Sequence, residues 1–276
     1  MPGQYPGAVS KGRYGRYATK TLSHKALIFR FHFLRVLVSY WQNITFETAS
    51  AFQLPFREAT NRDGNIPDKH RNRKQLRIFQ FKIIMQYRIL GKTALSISAL
   101  GFGVSPVGNV FEPVEEQEGI NAIHYAIDNG INFFDVAPFY GDTLAETRLG
   151  KALEGKRQNI ILATKCCRYA THFDFSYQRV LSSIDESLKR LRTDHVDLLQ
   201  IHDIEFGTEE QLLNEAIPAA LKVKESGKAR YIGFTGLPVR YLAHIARQTD
   251  ADTVLSWAHY NLLEDEINDE LVPLSL

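Results

Sequence analysis

Three apolar runs in this chain each stop at an ionisable side chain, and those side chains together have the makings of a proton-transfer site. Ile131-Asn-Phe-Phe ends in Asp135, and a turn containing Pro138 then presents Tyr140 before Gly141. Ile160-Ile-Leu-Ala-Thr164 stops at Lys165, and Val196-Asp-Leu-Leu-Gln-Ile201 stops at His202. Apolar runs closed in this way read as buried strands that deliver polar groups to loops. A phenol, with a pKa near 10, exchanges protons poorly around neutrality unless a neighbouring cation stabilises its anion. A lysine, a carboxylate to hold it and an imidazole are therefore suitable companions for Tyr140. Taken singly, a Lys or His at a strand end is usually solvated or capping something. The set gains weight if the strands are parallel, because in an α/β barrel their C-terminal ends meet on one face, where Asp135, Tyr140, Lys165 and His202 would converge.

The elements that must position these groups follow from hydrophobic period. Tyr87 to Leu90, a Gly91-Lys92-Thr93 turn and Leu95 to Ser98 alternate as a short hairpin does. A first barrel strand then runs into Ala99-Leu-Gly-Phe-Gly103. Its Gly101-x-Gly103 is not a dinucleotide fingerprint, since Pro106 stands where the third glycine belongs. The spacing predicts a helix over 115–129, striped by Ile120, Ile123, Ala126 and Ile127 and closed by Gly130. Strand 131–135, helix 145–153, strand 160–165 and helix 176–191 follow, the last striped by Val180, Ile184, Leu188 and Leu191. Strand 196–201, helix 208–226, strand 229–235, helix 238–247 and strand 253–257 complete the series. Alternation of this kind predicts a parallel sheet with helices outside. An eightfold barrel uses roughly 31 residues per unit, so about six units fit between Met85 and Leu276. The expected fold is α/β, a (β/α)8 barrel type cut after about six units, with two open sheet edges.

Composition separates this region from what precedes it. The 276 residues are 44% hydrophobic and 23% charged, a globular balance. Residues 1–84 nevertheless hold 15 Lys/Arg against 4 Asp/Glu, leaving 18 against 27 for residues 85–276, so the overall +2 conceals a basic extension beside an acidic domain. The extension has no sustained period. Its apolar run Ala26 to Val38 is interrupted by Arg30, His32 and Arg35 and is shorter than the roughly 18 to 20 residues of a membrane span. It is Arg-rich and acid-free before Glu47, as an organelle transit peptide is. Alternatively, because Met1 and Met85 are the only methionines, it is upstream sequence ahead of a domain that starts at Met85. Either way residues 1–84 are expected to be unordered, with at most a helix near 24–41, and dispensable. Arg71-Asn-Arg-Lys74 without a binding module reads as a solvated face, so neither nucleic acid nor membrane is an expected partner. Adjacent Cys166 and Cys167 make a strained pair rather than a structural bridge, which points to reduced thiols and a cytoplasmic location. No metal-ligand spacing is present, and the oligomeric state is not legible.

The spacing Asp135-x4-Tyr140-Gly141 with Lys165 and His202 resembles the catalytic tetrad of the aldo-keto reductases. Asn132 to Asp135 followed by Ala145 to Leu153 is similar to that family's second barrel unit. His202 to Gly207, Ile217 to Gly227, Gly233 to Pro238 and His259 to Leu262 resemble the branch that oxidises aldoses such as L-galactose. The resemblance runs from Met85 to the last residue. It implies hydride transfer between NAD or NADP, with NAD favoured, and a sugar or aldehyde carbonyl. Tyr140 would move the proton, Lys165 would stabilise its anion, Asp135 would hold Lys165 and His202 would orient the carbonyl. Val104, Asp135, Thr235, Trp257 and Asn261 would meet the cofactor. Thr235-Gly236 stands where most members have Ser-Asn, and Trp257 where many have Gln. The family draws further cofactor contacts from units seven and eight, so the 276 residues by themselves are expected to bind cofactor poorly. Three other readings remain: a general aldehyde reductase, a non-catalytic cofactor-binding regulatory barrel, and a metal enzyme using His202, Asp203 and Glu205.

Overall fold

In the computed structural model, which describes residues 85–275, an antiparallel hairpin comes first. Its strands β1 (Tyr87–Ile89) and β2 (Ser96–Ser98) pair Tyr87 with Ser98 and Ile89 with Ser96. Six parallel strands follow: β3 (Phe102–Gly103), β4 (Phe133–Asp135), β5 (Ile161–Cys166), β6 (Val196–Ile201), β7 (Ala229–Gly236) and β8 (Thr253–Ser256). They lie side by side in chain order. Helices occupy the connections: α1 (Glu116–Asp128), α2 (Leu144–Ala152), α3 (Tyr177–Leu191), and α6 (Val239–Ala246) before β8. Between β6 and β7 the helical segment is composite, with α4 (Glu209–Gln211), a π-helical turn at Leu212–Ala216 and α5 (Ile217–Glu225). Apart from β3, which starts at Phe102 rather than Ala99, these spans match the sequence periods to within a residue or two. The π turn is an addition that the period does not reveal. Pro218, in the first turn of α5, has no N–H to donate back along the helix, and the wider turn lies immediately before it.

The expected α/β architecture is thus present as a curled six-stranded arc. Among the described residues β3 pairs only with β4 and β8 only with β7, which leaves the arc open. Expectations for residues 1–84, including the helix near 24–41, lie outside the described residues.

Side-chain period two places one set of strand residues inside the arc. The lowest interior layer is Phe133, Ala163 and Leu198, with Ile97, Ile161 and Tyr231 packed on it. The hairpin forms the floor, where the Ala94 N–H donates to the Tyr231 hydroxyl at 2.9 Å. Burying apolar side chains of this size is worth about 1.5–3 kcal/mol each, so the floor is a stable base for what stands on it. Two residues further along β4, β5 and β6 come Asp135, Lys165 and Gln200, all buried. Outside, α3 buries Val180, Ile184, Leu188 and Leu191, the stripe its period predicts.

Candidate active site

Asp135 is the last residue of β4, Lys165 lies next to the end of β5, and His202 directly follows β6. In the parallel register Asp135 is opposite Ala163, and Lys165 is opposite Gln200. Asp135 is thus level with a residue two positions before Lys165, and His202 follows two positions after the partner of Lys165, so the three side chains rise from the same interior face in successive steps. Lys165 is 1% exposed and forms an ion pair with Asp135 Oδ1. Its ammonium also donates to the Val136 carbonyl at 3.1 Å and to the Tyr140 hydroxyl at 3.1 Å, which uses its three donors. The second oxygen of Asp135 accepts from Gln200 Nε2 at 2.9 Å. The carboxylate is thereby locked, and through it the ammonium.

The Tyr140 and His202 rings meet edge to face with centroids 5.8 Å apart. His202 is anchored by its backbone N–H on the Cys166 carbonyl at 3.1 Å. Burial, helped by the Lys165 and Arg168 charges, holds its imidazole well below the ordinary value of 6.5, so the ring is neutral. His202 Nδ1 and Glu205 Oε2 are both buried without a hydrogen-bond partner among the described residues. Two such polar atoms at one rim are suited to receive a polar ligand.

Strained backbone surrounds these groups. After Tyr140, the residues Gly141, Asp142 and Thr143 have φ of 63°, 50° and 72°, while Cys167 has 73° and Asp203 has 54°. Each lies within three residues of Tyr140, Lys165 or His202, where strain serves to aim side chains. Gly141 also makes a close approach that no side chain permits: a Cβ there would stand 1.7 Å from the Gly108 carbonyl oxygen. The loop after β3 and the Tyr140 turn are thus pressed backbone to backbone.

Of the residues expected at the cofactor, Val104 is fully buried and donates its N–H to the Asp135 carbonyl at 2.9 Å. Thr235 Oγ1 accepts the Asp203 N–H at 3.0 Å and donates to Asp203 Oδ1 at 3.3 Å. Asn261 is likewise committed, with Nδ2 on the Ala258 carbonyl at 2.7 Å and Oδ1 receiving the Leu263 N–H at 2.8 Å. Trp257, just past β8, is 52% exposed. Asp135, Thr235 and Asn261 thus have polar atoms engaged within the protein, whereas Trp257 offers open ring surface. The trio His202, Asp203 and Glu205 does not converge on a point. Asp203 pairs with Arg168, Glu205 accepts the Leu237 N–H at 3.0 Å, and no metal-binding group of three such side chains occurs among the described residues.

Sequence reasoning overlooked two residues. Gln200 is a polar interruption two positions before His202, hence on the same strand face, and that offset was its signal. Arg168 stacks on Phe139 with its guanidinium carbon 3.7 Å from the ring centroid and ion-pairs with Asp203. It follows β5 in a loop, where no period marks it.

Comparison with known proteins accords with this geometry. A model of the aldo/keto reductase family matches residues 99–275. L-galactose dehydrogenase of Arabidopsis thaliana is 47% identical over 193 residues, covering 68% of this chain and 60% of that protein. D-threo-aldose 1-dehydrogenase of a Pseudomonas species is 32% identical over 204 residues, covering 65% and 62%. Among solved structures, the holo form of aldo-keto reductase AKR11C1 from Bacillus halodurans superposes with a TM-score of 0.61 at 30% identity, covering 69% of this chain and 62% of that one. The chain spans about three fifths of the length of these relatives.

Proposed function

The chain belongs to the aldo/keto reductase family, and from that premise we propose that the protein carrying it is a nicotinamide-dependent dehydrogenase of aldoses. L-galactose is the favoured substrate and NAD the favoured cofactor. The single observation that carries the reading is the Asp135–Lys165–Tyr140 chain with the His202 ring set edge to face against Tyr140. The substrate preference is supported by the similarity to L-galactose dehydrogenase and D-threo-aldose 1-dehydrogenase.

The nicotinamide, when bound, accepts hydride from the sugar's anomeric carbon or returns it to a carbonyl. Everything else falls to the protein. In the oxidative direction Tyr140, as phenolate, takes the hydroxyl proton while the C–H bond electrons leave as hydride, so that the aldose becomes its lactone. An ammonium 3.1 Å from the phenol oxygen stabilises the anion, and Asp135 with Gln200 keeps that ammonium in place. His202, being neutral, donates a hydrogen bond to the substrate oxygen without repelling Lys165. Trp257 supplies open ring surface toward the nicotinamide, Val104 backs the site by holding the Asp135 carbonyl, and Thr235 and Asn261 shape the loops around it. Free, buried thiols at Cys166 and Cys167 accord with a reducing compartment such as the cytoplasm. Among the described residues no helix is long and apolar enough to cross a membrane.

The test is a panel of aldoses and simple aldehydes with NAD or NADP, followed by the appearance or loss of reduced cofactor. NAD reduction with L-galactose above the other sugars is expected. Turnover of simple aldehydes with no aldose oxidation would favour the general reductase, and cofactor binding without turnover the regulatory barrel.

A further inference from the structure

Beyond the tetrad, the rim carries a charged pair that the chemistry so far leaves unused. Arg168 and Asp203 form an ion pair whose side chains remain 31% and 17% exposed. The guanidinium carbon lies over the Phe139 ring, 3.7 Å from its centroid, and 5.5 Å from that of Phe173. Stacking of this kind fixes the plane of the fork. One of its N–H groups goes to Asp203 Oδ2, and no other hydrogen bond of Arg168 occurs among the described residues. Asp203 is held as firmly from the other side. Thr235 takes its backbone N–H and donates to Oδ1, and a left-handed φ of 54° turns the residue back over the strand end. Its Oδ1 stands 3.8 Å from His202 Nε2.

A donor fork and an acceptor carboxylate are thus presented side by side, next to the imidazole and one residue from Tyr140 through Phe139. We propose that Arg168 and Asp203 are the specificity-determining pair for the sugar, reading a hydroxyl group beside the reacting carbon. The inference rests on the aldose reading above and names the part of the site that recognises the polyol. Asp203 accepts from the hydroxyl, and a free N–H of Arg168 donates to it or to the next hydroxyl along. Both groups are rigid before substrate arrives, so little ordering is needed on binding. A substrate lacking the hydroxyl leaves this polar pair facing carbon, and sites built to hydrogen-bond a hydroxyl discriminate strongly against such analogues. A closed ion pair that merely latches the loop after β5 to the loop after β6 would also place these residues together, and the two roles separate by experiment.

Arg168→Met and Asp203→Asn are assayed in the complete protein that carries this chain. kcat and KM are determined for L-galactose oxidation and for reduction of butanal, which has no hydroxyl, together with the Kd for NADH and the unfolding midpoint. The expected result is a fall of about 10- to 100-fold in the ratio of the two kcat/KM values, the range for hydrogen bonds to charged groups. It should be expressed chiefly in KM for the sugar, with the NADH Kd within about twofold in Arg168→Met. A loss shared equally by both substrates and accompanied by a lower unfolding midpoint identifies a latch and overturns the proposal. So does an unchanged ratio in either variant. Wild-type protein that reduces butanal but oxidises no aldose would instead overturn the functional reading itself, and this inference with it.

Discussion

Lys165 Nζ lies 3.1 Å from the phenol oxygen of Tyr140, and its remaining donors are fixed on Asp135 and on the Val136 carbonyl. The cation thus cannot leave the phenol without breaking a buried ion pair. A phenol that must alternate between neutral and anionic forms gains from a partner held this firmly, because the stabilising charge is in place before the proton moves.

The same arrangement gives these residues a structural role. Replacing Lys165 by Met leaves the Asp135 carboxylate buried and unpaired, at a cost of about 3–5 kcal/mol. Gln200→Leu removes only the donor to Asp135 Oδ2, at a cost of about 1–3 kcal/mol. Urea unfolding of the two variants should place both below the wild type, with Lys165→Met lower. A reversed order would show that the Gln200 hydrogen bond, rather than the Lys165 ion pair, does most to stabilise the buried carboxylate.

Two glycines with positive φ allow strain to be separated from function. Gly141 has φ +63° and abuts the Gly108 carbonyl, whereas Gly155 has φ +71° with nothing within 4 Å of its notional Cβ. Alanine at 155 imposes only the left-handed penalty, of order 1–2 kcal/mol. Alanine at 141 must also push the Tyr140 turn from its seat, and a displacement near 1 Å costs about 100-fold in rate. Steady-state kinetics should find Gly155→Ala close to wild type and Gly141→Ala severely impaired. Equal activities would mean that the turn can move freely.

Most of the scaffold was legible in the sequence because it follows period. The stripe Val180, Ile184, Leu188, Leu191 and the alternation Phe133, Asp135 each fix a face, and faces fix which residues converge. Gly130 and Gly227, read as helix stops, have φ of 86° and 80°. The convergence of Asp135, Lys165 and His202 needed only the parallel sheet. What could not be read depends on loops and on partners remote in sequence. Arg168 meets Phe139 and Asp203 across two loops, the Gly108–Gly141 contact depends on backbone approach, and the commitment of Asn261 to its own turn is local geometry without a composition signal.

Acid should weaken the protein in a window set by His202. Its folded value is held well below 6.5, by burial first and then by Lys165 and Arg168. The unfolded chain therefore takes up a proton that the folded chain refuses as pH falls through about 6.5. Stability is undiminished above that value and declines below it until the folded value is reached. Asp197 acts lower. Although burial raises its carboxyl, the Leu162 N–H and the Arg230 and Arg157 guanidiniums bring it below the ordinary 3.8, so its contribution is lost only in stronger acid. Unfolding midpoints measured from about pH 7.5 to about pH 5 should fall less steeply in His202→Gln than in the wild type. Identical slopes would mean that folding leaves the proton affinity of the imidazole unchanged.

The central claim is that Tyr140 moves the proton, and Tyr140→Phe tests it most directly, since the exchange deletes one oxygen and keeps the ring against His202. Turnover of L-galactose with NAD, and the Kd for NADH by fluorescence quenching, are measured side by side in the complete protein that carries this chain. The account predicts kcat lower by about 10²- to 10⁴-fold with the NADH Kd within about twofold of wild type, an effect confined to chemistry. A variant that keeps most of its turnover would contradict it and remove Tyr140 from the reaction.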